Sequence, residues 1–226
     1  MLLFCCVCPW TLRGDSILLG TNNGGTADPF AGPFPGLAGT QYQEAYASTD
    51  FSGPISISSI EFFLLPGSSG ALYGATYQLS LSTITANISS LSETNLAGNV
   101  GADNTIFTTV TLGGAAPSIL TFDGAGFFYN PSLGNLLLNI QVSDPTSVGS
   151  AIFEDGAGSG PAGIVRYSNF YNGTTGYGLV TEFNGFTSDK DNLSVVVTPE
   201  PSTIMLVGCG LAGLLTWRLR RGFAHR

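Results

Sequence analysis

Hydrophobic and polar residues alternate along most of this chain with a period of two. Tyr77, Leu79 and Leu81 fall on one side of their run, with Gln78, Ser80 and Ser82 on the other. Leu136, Leu138, Ile140 and Val142 repeat the pattern against Asn135, Asn139 and Gln141, and Leu137 alone breaks it. Leu193, Val195 and Val197 close the series. Alternation of this kind marks strands with one buried face and one wet face. Shorter runs predict further strands at Tyr42–Ser48, Ile55–Leu65, Ile106–Leu112, Ile119–Phe122, Ala151–Glu154, Ile164–Tyr167 and Leu179–Phe183. Pro66-Gly67, Gly113-Gly114, Gly124-Ala125-Gly126 and Asn130-Pro131 read as the turns between them. Only Ser89–Leu96 has the makings of a short helix. Nine or ten strands without crossover helices exclude a parallel α/β sheet. The expected fold is all-β, an antiparallel β-sandwich of jelly-roll type over residues 41–198. A right-handed β-solenoid needs a fixed internal period, and none is present.

The pattern changes at both ends. Residues 15–40 include Thr21–Gly39, rich in Gly, Pro and Asn, and read as an extended lead-in. Met1–Trp10 is apolar and resembles the core of a signal peptide, but it lacks a basic start and a small-x-small cleavage site. Residues 1–14 are therefore expected to be an atypical or truncated leader. From Ser202 to Trp217 the chain carries no charge, and Arg218, Arg220 and Arg221 follow. Pro199 and Pro201 stop the preceding strand, and Pro201 suits the first turn of a helix. The eighteen residues 202–219 would make a helix of about 27 Å, close to the ~30 Å of a bilayer core. A single transmembrane helix is expected there, with the arginines as stop-transfer and orientation signals. A buried core helix is the lesser reading, because such helices seldom end in an arginine cluster. Gly208-Cys209-Gly210-Leu211-Ala212-Gly213 has the letters of a dinucleotide fingerprint. No strand leads directly into it and no βαβ unit surrounds it, so the glycines read as small residues on a membrane helix.

Charge gives the helix a direction. Between Gly14 and Glu200 only Arg166 and Lys190 oppose all fifteen carboxylates, a balance of −13, while four arginines crowd the last nine positions. An acidic body before the span and a basic tail after it place the body outside and the tail in the cytoplasm. So acidic a body is a poor partner for nucleic acid. Cys5, Cys6, Cys8 and Cys209 lie at the two ends and His225 in the tail. The body thus has no residue for a Ser-His-Asp or Cys-His nucleophile, a disulfide framework, or an imidazole- or thiolate-bound metal.

What chemistry remains rests on carboxylates and aromatics. Glu154, Asp155, Glu182, Asp189 and Asp191 are candidates for the paired carboxylates of glycoside hydrolysis, set against the plainer reading of solvated acids on the loops and outer faces of an acidic domain. Asp189, Asp191 and Asn192, with Asp155 at the head of a glycine-rich loop, offer the oxygen donors that a structural calcium takes; no other cofactor is expected. Tyr167, Phe170, Tyr171 and Tyr177 are interleaved with Asn, Thr and Gly. They are candidate glycan contacts, since sugar sites combine apolar faces with a few polar anchors. The alternative is that Tyr167 and Tyr177 end strands and pack beneath the loop. The threonines at 105, 108, 109 and 111 follow from ordinary β propensity.

Pro199-Glu200-Pro201-Ser202-Thr203, the span Gly210-Leu211-Ala212-Gly213-Leu214-Leu215 and the terminal Arg218, Arg220 and Arg221 together resemble the PEP-CTERM sorting signal of bacterial exosortase substrates, a segment also labelled an ice-binding protein C-terminal motif. The body, through Asn130-Pro131-Ser132-Leu133-Gly134 and Asn135–Val142, is similar to the anchor-associated β-sandwich domains found before such signals. The resemblance implies export, an inner-membrane intermediate, recognition of Pro199, Glu200 and Pro201 by an exosortase, and delivery to the cell surface or matrix. The expected function is that of a non-enzymatic surface or matrix protein, structural or adhesive and linked to exopolysaccharide. The alternatives are a carbohydrate-active enzyme using paired carboxylates and a structural matrix protein that binds no glycan.

Overall fold

The alternating runs form extended strands. The structure, a computed structural model, describes residues 14–31, 40–92, 94–157, 164–168, 174–175 and 177–187. In chain order the strands are β1 (Asp15–Leu19), β2 (Gly24–Thr26), β3 (Thr40–Tyr46), β4 (Ile55–Phe63), β5 (Ala71–Ile84), β6 (Thr105–Ala115) and β7 (Ile119–Tyr129). They continue with β8 (Asn135–Ser147), β9 (Phe153–Ala157), β10 (Ile164–Ser168), β11 (Thr174–Thr175), β12 (Tyr177–Leu179) and β13 (Thr181–Thr187). No α-helix occurs among the described residues. In place of the short helix expected at Ser89–Leu96 there are two 3-10 turns, Ile88–Ser90 and Leu96–Asn99. Asn87 and Asn95 accept backbone N–H bonds at their starts, the local competition that keeps such residues out of helix interiors.

The strands build three antiparallel sheets: four strands in the order β1-β13-β4-β7, six in the order β11-β10-β3-β8-β5-β6, and three in the order β12-β9-β2. The eight principal strands pair in a nested way, β1 with β13, β3 with β8, β4 with β7 and β5 with β6. First meets last and fourth meets fifth, as when a long hairpin is rolled up into the two Greek keys of a jelly roll. The inward faces of the four- and six-stranded sheets share one core. It includes Ile55, Ile57, Ile60 and Phe62 of β4, Phe122 and Tyr129 of β7, Tyr77 and Leu79 of β5, and Leu138 and Ile140 of β8. Tyr46 of β3 meets Phe183 of β13 edge to face at 5.0 Å.

Residues 15–31, from the lead-in, add two strands and a plug. β1 pairs along its whole length with β13, and β2 pairs with β9. Phe30, fully buried, has Phe62, Phe122, Phe153 and Tyr77 around it at 4.9, 5.4, 5.5 and 5.6 Å. Two expected turns are instead passages of strand. Gly113-Gly114 lies within β6, and Gly124-Ala125-Gly126 within β7. Gly124 is required by a close approach, because a Cβ there would stand 2.5 Å from the Phe107 ring. The run expected at Leu179–Phe183 divides at Val180 into β12 and β13.

The outer face of the six-stranded sheet is covered by the chain itself. Ile88, Leu91 and Leu96 pack with Ala45, Ile84 and Leu137 into a second, smaller core. Leu137, the one break in the alternation of β8, is thereby fully buried on the outward side. Polar bonds fix the cover. The Gln43 amide donates to the Leu96 carbonyl at 2.8 Å and to Asn139 Oδ1 at 3.0 Å. Asn99 donates to Gln43 Oε1 at 3.0 Å and accepts from the Ser92 N–H at 2.7 Å.

The chain divides into a unit ending at Ser188 and a second from Asp189 to Arg226. The second unit lies outside the described residues, and with it the strand expected at 193–197 and the transmembrane helix expected at 202–219. Among the described residues no helix is long and apolar enough to cross a membrane.

Candidate functional site

The sequence-derived candidates fall in different places. Pro199, Glu200, Pro201, Arg218, Arg220 and Arg221 all lie beyond the described residues, as do Asp189, Asp191, Asn192, Phe170 and Tyr171. Tyr167 occupies β10 and Tyr177 begins β12, strand positions rather than a loop. Glu154 and Asp155 sit in β9 of the three-stranded sheet, and Glu182 in β13 of the four-stranded sheet. Asp155 is buried, pairs in register with Gly24 and Leu179, and accepts the Asn23 N–H on its carbonyl at 3.0 Å. Among the described residues no group of three His, Cys, Asp or Glu side chains is placed to hold a metal ion.

Two arrangements have no counterpart in the expectations. The first is inside the sandwich. Glu44 alternates inward from β3 and is fully buried. It accepts from the Tyr42 and Tyr46 hydroxyls and from the Leu179 N–H. Thr181 Oγ1 lies 3.4 Å from Glu44 Oε2 and 3.0 Å from the Tyr46 hydroxyl. A buried carboxylate is tolerable only with such a set of donors. Burial first, and the Glu44 charge second, hold the Tyr46 hydroxyl well above the ordinary phenol range. The cluster ties β3 to the junction of β12 and β13, across the two sheets. Fully buried and engaged by these donors, Glu44 helps hold the strands together.

The second is the outer face of the four-stranded sheet. Four of the seven large apolar side chains exposed among the described residues project from it: Leu18, Ile119, Phe128 and Phe186. Register orders this face into rows. Phe186 stands opposite Ser56, and Ser56 opposite Phe128. The next row reads Ser16, Asn184, Ser59 and Asp123 across the four strands, and the one beyond it Leu18, Glu182, Glu61 and Thr121. Thr121 Oγ1 donates to Glu61 Oε1 at 3.4 Å. Glu61 and Glu182 face each other directly, an arrangement that costs rather than gains stability. The outward parity of Phe128 within Phe127-Phe128-Tyr129 was the available sequence signal, masked because all three residues are aromatic.

The family whose pattern the chain matches is described as the PEP-CTERM protein-sorting motif, and it covers residues 197–221. Every sorting and orientation residue named above, from Pro199 to Arg221, falls within that span. The match carries with it export, membrane-associated sorting and processing by an exosortase. Neither a curated protein nor a solved structure matches the chain.

Proposed function

We propose that the sorting motif delivers this β-sandwich to the cell surface or extracellular matrix, where it has a structural and adhesive role linked to exopolysaccharide. The observation that carries the proposal is the motif at 197–221, joined to a body of alternating strands with an acidic surface. Glu200 between two prolines is the centre of the element an exosortase would read. The uncharged run 202–217, ended by Arg218, Arg220 and Arg221, would hold the chain in the membrane, body outward, until processing. The body's chemistry agrees with a role outside the cell. It has neither histidine nor cysteine among residues 15–198, and its fully buried carboxylate, Glu44, is engaged in holding the sheets together.

The sorting proposal is tested by changing Pro199, Glu200 and Pro201 to alanine in an exosortase-bearing host. Export should continue, and the unprocessed chain should accumulate in the membrane fraction. Normal processing and surface delivery of the triple variant would overturn it.

A further inference from the structure

We infer that the outer face of the four-stranded sheet, centred on the row Phe186–Ser56–Phe128, is a binding platform for a neutral polysaccharide. This rests on the exopolysaccharide reading above and gives it a place and a ligand class. Most phenylalanines of the body are buried in the core, but Phe128 is 63% exposed and Phe186 46%. They lie on alternate strands, with Ser56 of the middle strand between them in register. Adjacent strands are about 4.8 Å apart, so the two rings spring from backbones roughly 10 Å apart. That separation suits two stacking points along one chain molecule better than a single apolar patch.

The rows between and beyond the rings supply acceptors and hydroxyls: Ser59, Asn184 and Asp123, then Glu61, Glu182 and Thr121. An aromatic face takes the C–H side of a sugar ring, while carboxylates and amides accept its hydroxyl hydrogens; sites of this type need apolar contact with a few fixed polar groups. The charge decides which glycan. Three carboxylates share the face, and the four strands carry no lysine or arginine. A uronate- or sulfate-bearing polymer would be repelled, and a neutral one would not. A protein partner fits less well, because interfaces are anchored by a continuous apolar centre. Here a polar row separates the exposed phenylalanines from Leu18.

The test is affinity electrophoresis of the full chain in mild detergent, through native gels containing galactomannan, mixed-linkage β-glucan or alginate. The wild type should be retarded by at least one neutral polymer and not by alginate. Phe128→Ala and Phe186→Ala should each weaken retardation by about tenfold or more, as loss of an aromatic contact does. Phe128→Tyr should restore it, and Thr109→Ala on the other sheet should not alter it. Retardation that survives both alanine changes would overturn the platform and leave the adhesive reading standing. Retardation by no polymer would overturn both. Retardation by alginate alone would overturn the neutral class, and a dimer dissolved by the two alanine changes would assign the face to a second copy of the chain and overturn the proposal.

Discussion

The two principal sheets turn similar alternating strands toward one core, yet their outer faces have opposite fates. On the six-stranded sheet, residues 88–92 and 94–99 fold back over the strands, bury Leu137 and satisfy Gln43, Asn99 and Asn139 among themselves. On the four-stranded sheet, no described residue covers Phe128 or Phe186. The difference shows what an outward apolar residue means in a sheet. Leu137 is structure, because the chain supplies its cover. Phe128 and Phe186 remain as surface, and a surface that retains large apolar groups among hydrogen-bonding side chains suits contact with something else.

The largest expected effect separates the faces by stability. Leu137→Ala should cost about 2–5 kcal/mol, the range for emptying a buried leucine site, although alternation alone would place residue 137 on the wet side. Chemical denaturation of the purified chain measures it. A cost below about 0.5 kcal/mol, the usual bound for surface positions, would erase the distinction between the faces.

The second test asks whether the two sheets are one cooperative body. Tyr46 of β3, Tyr77 of β5 and Tyr129 of β7 all have hydroxyls held above the ordinary phenol range, chiefly by burial. In Tyr46 the Glu44 charge adds to this, and in Tyr129 the Asp50 charge does. Their folded-state proton affinity is raised, so the stability they contribute is complete below about pH 10, where unfolded tyrosine ionises. It drains as pH rises from there toward the folded values. Thermal midpoints should therefore fall steeply above about pH 10. Because the three hydroxyls belong to both sheets, far-ultraviolet circular dichroism and aromatic absorbance should move together. Separate transitions would mean that the sheets unfold independently.

A smaller effect probes the polar seal on the covered face. Asn99→Ala removes the donor to Gln43 and the acceptor of the Ser92 N–H. Leaving buried partners unmatched should cost about 1–3 kcal/mol. Amide exchange should quicken over residues 88–100 and stay unchanged in β4 and β7. Uniform quickening would show that the cover is not a separate unit.

The architecture was open to reading because period-two alternation survives in nearly every long strand. Where reading stopped, tertiary partners had overridden a local signal. Gly124 resembles a turn glycine, but its task is to admit the Phe107 ring, a contact between strands that no local rule contains. Phe30 sits among Gly, Pro and Asp residues, yet it plugs the core because the fold leaves an end to fill. The address of the protein was legible for a different reason. A sorting signal is read as a linear segment, so Pro199, Glu200 and Pro201 could be named without a fold. The aromatic row of the four-stranded sheet could not, since Ser56 joins Phe128 to Phe186 only through the register of three strands.

The smallest expected effect completes the comparison from its other side. Phe128→Ser and Phe186→Ser each replace an outward ring by the side chain that already stands between them. If the face is open, each ring loses only the contacts of its covered part, and each change should fall within about 1 kcal/mol of wild type. β propensity alone would favour phenylalanine slightly, so the expected sign is a small loss. A loss above about 1.5 kcal/mol at either position would mean that the ring is covered in the intact protein, because burial of a large apolar side chain is worth that much. The four-stranded sheet would then resemble its partner, and its phenylalanines would belong with Leu137. A near-zero effect on stability, joined to lost retardation in the glycan gels, is the combination that only an open binding face produces.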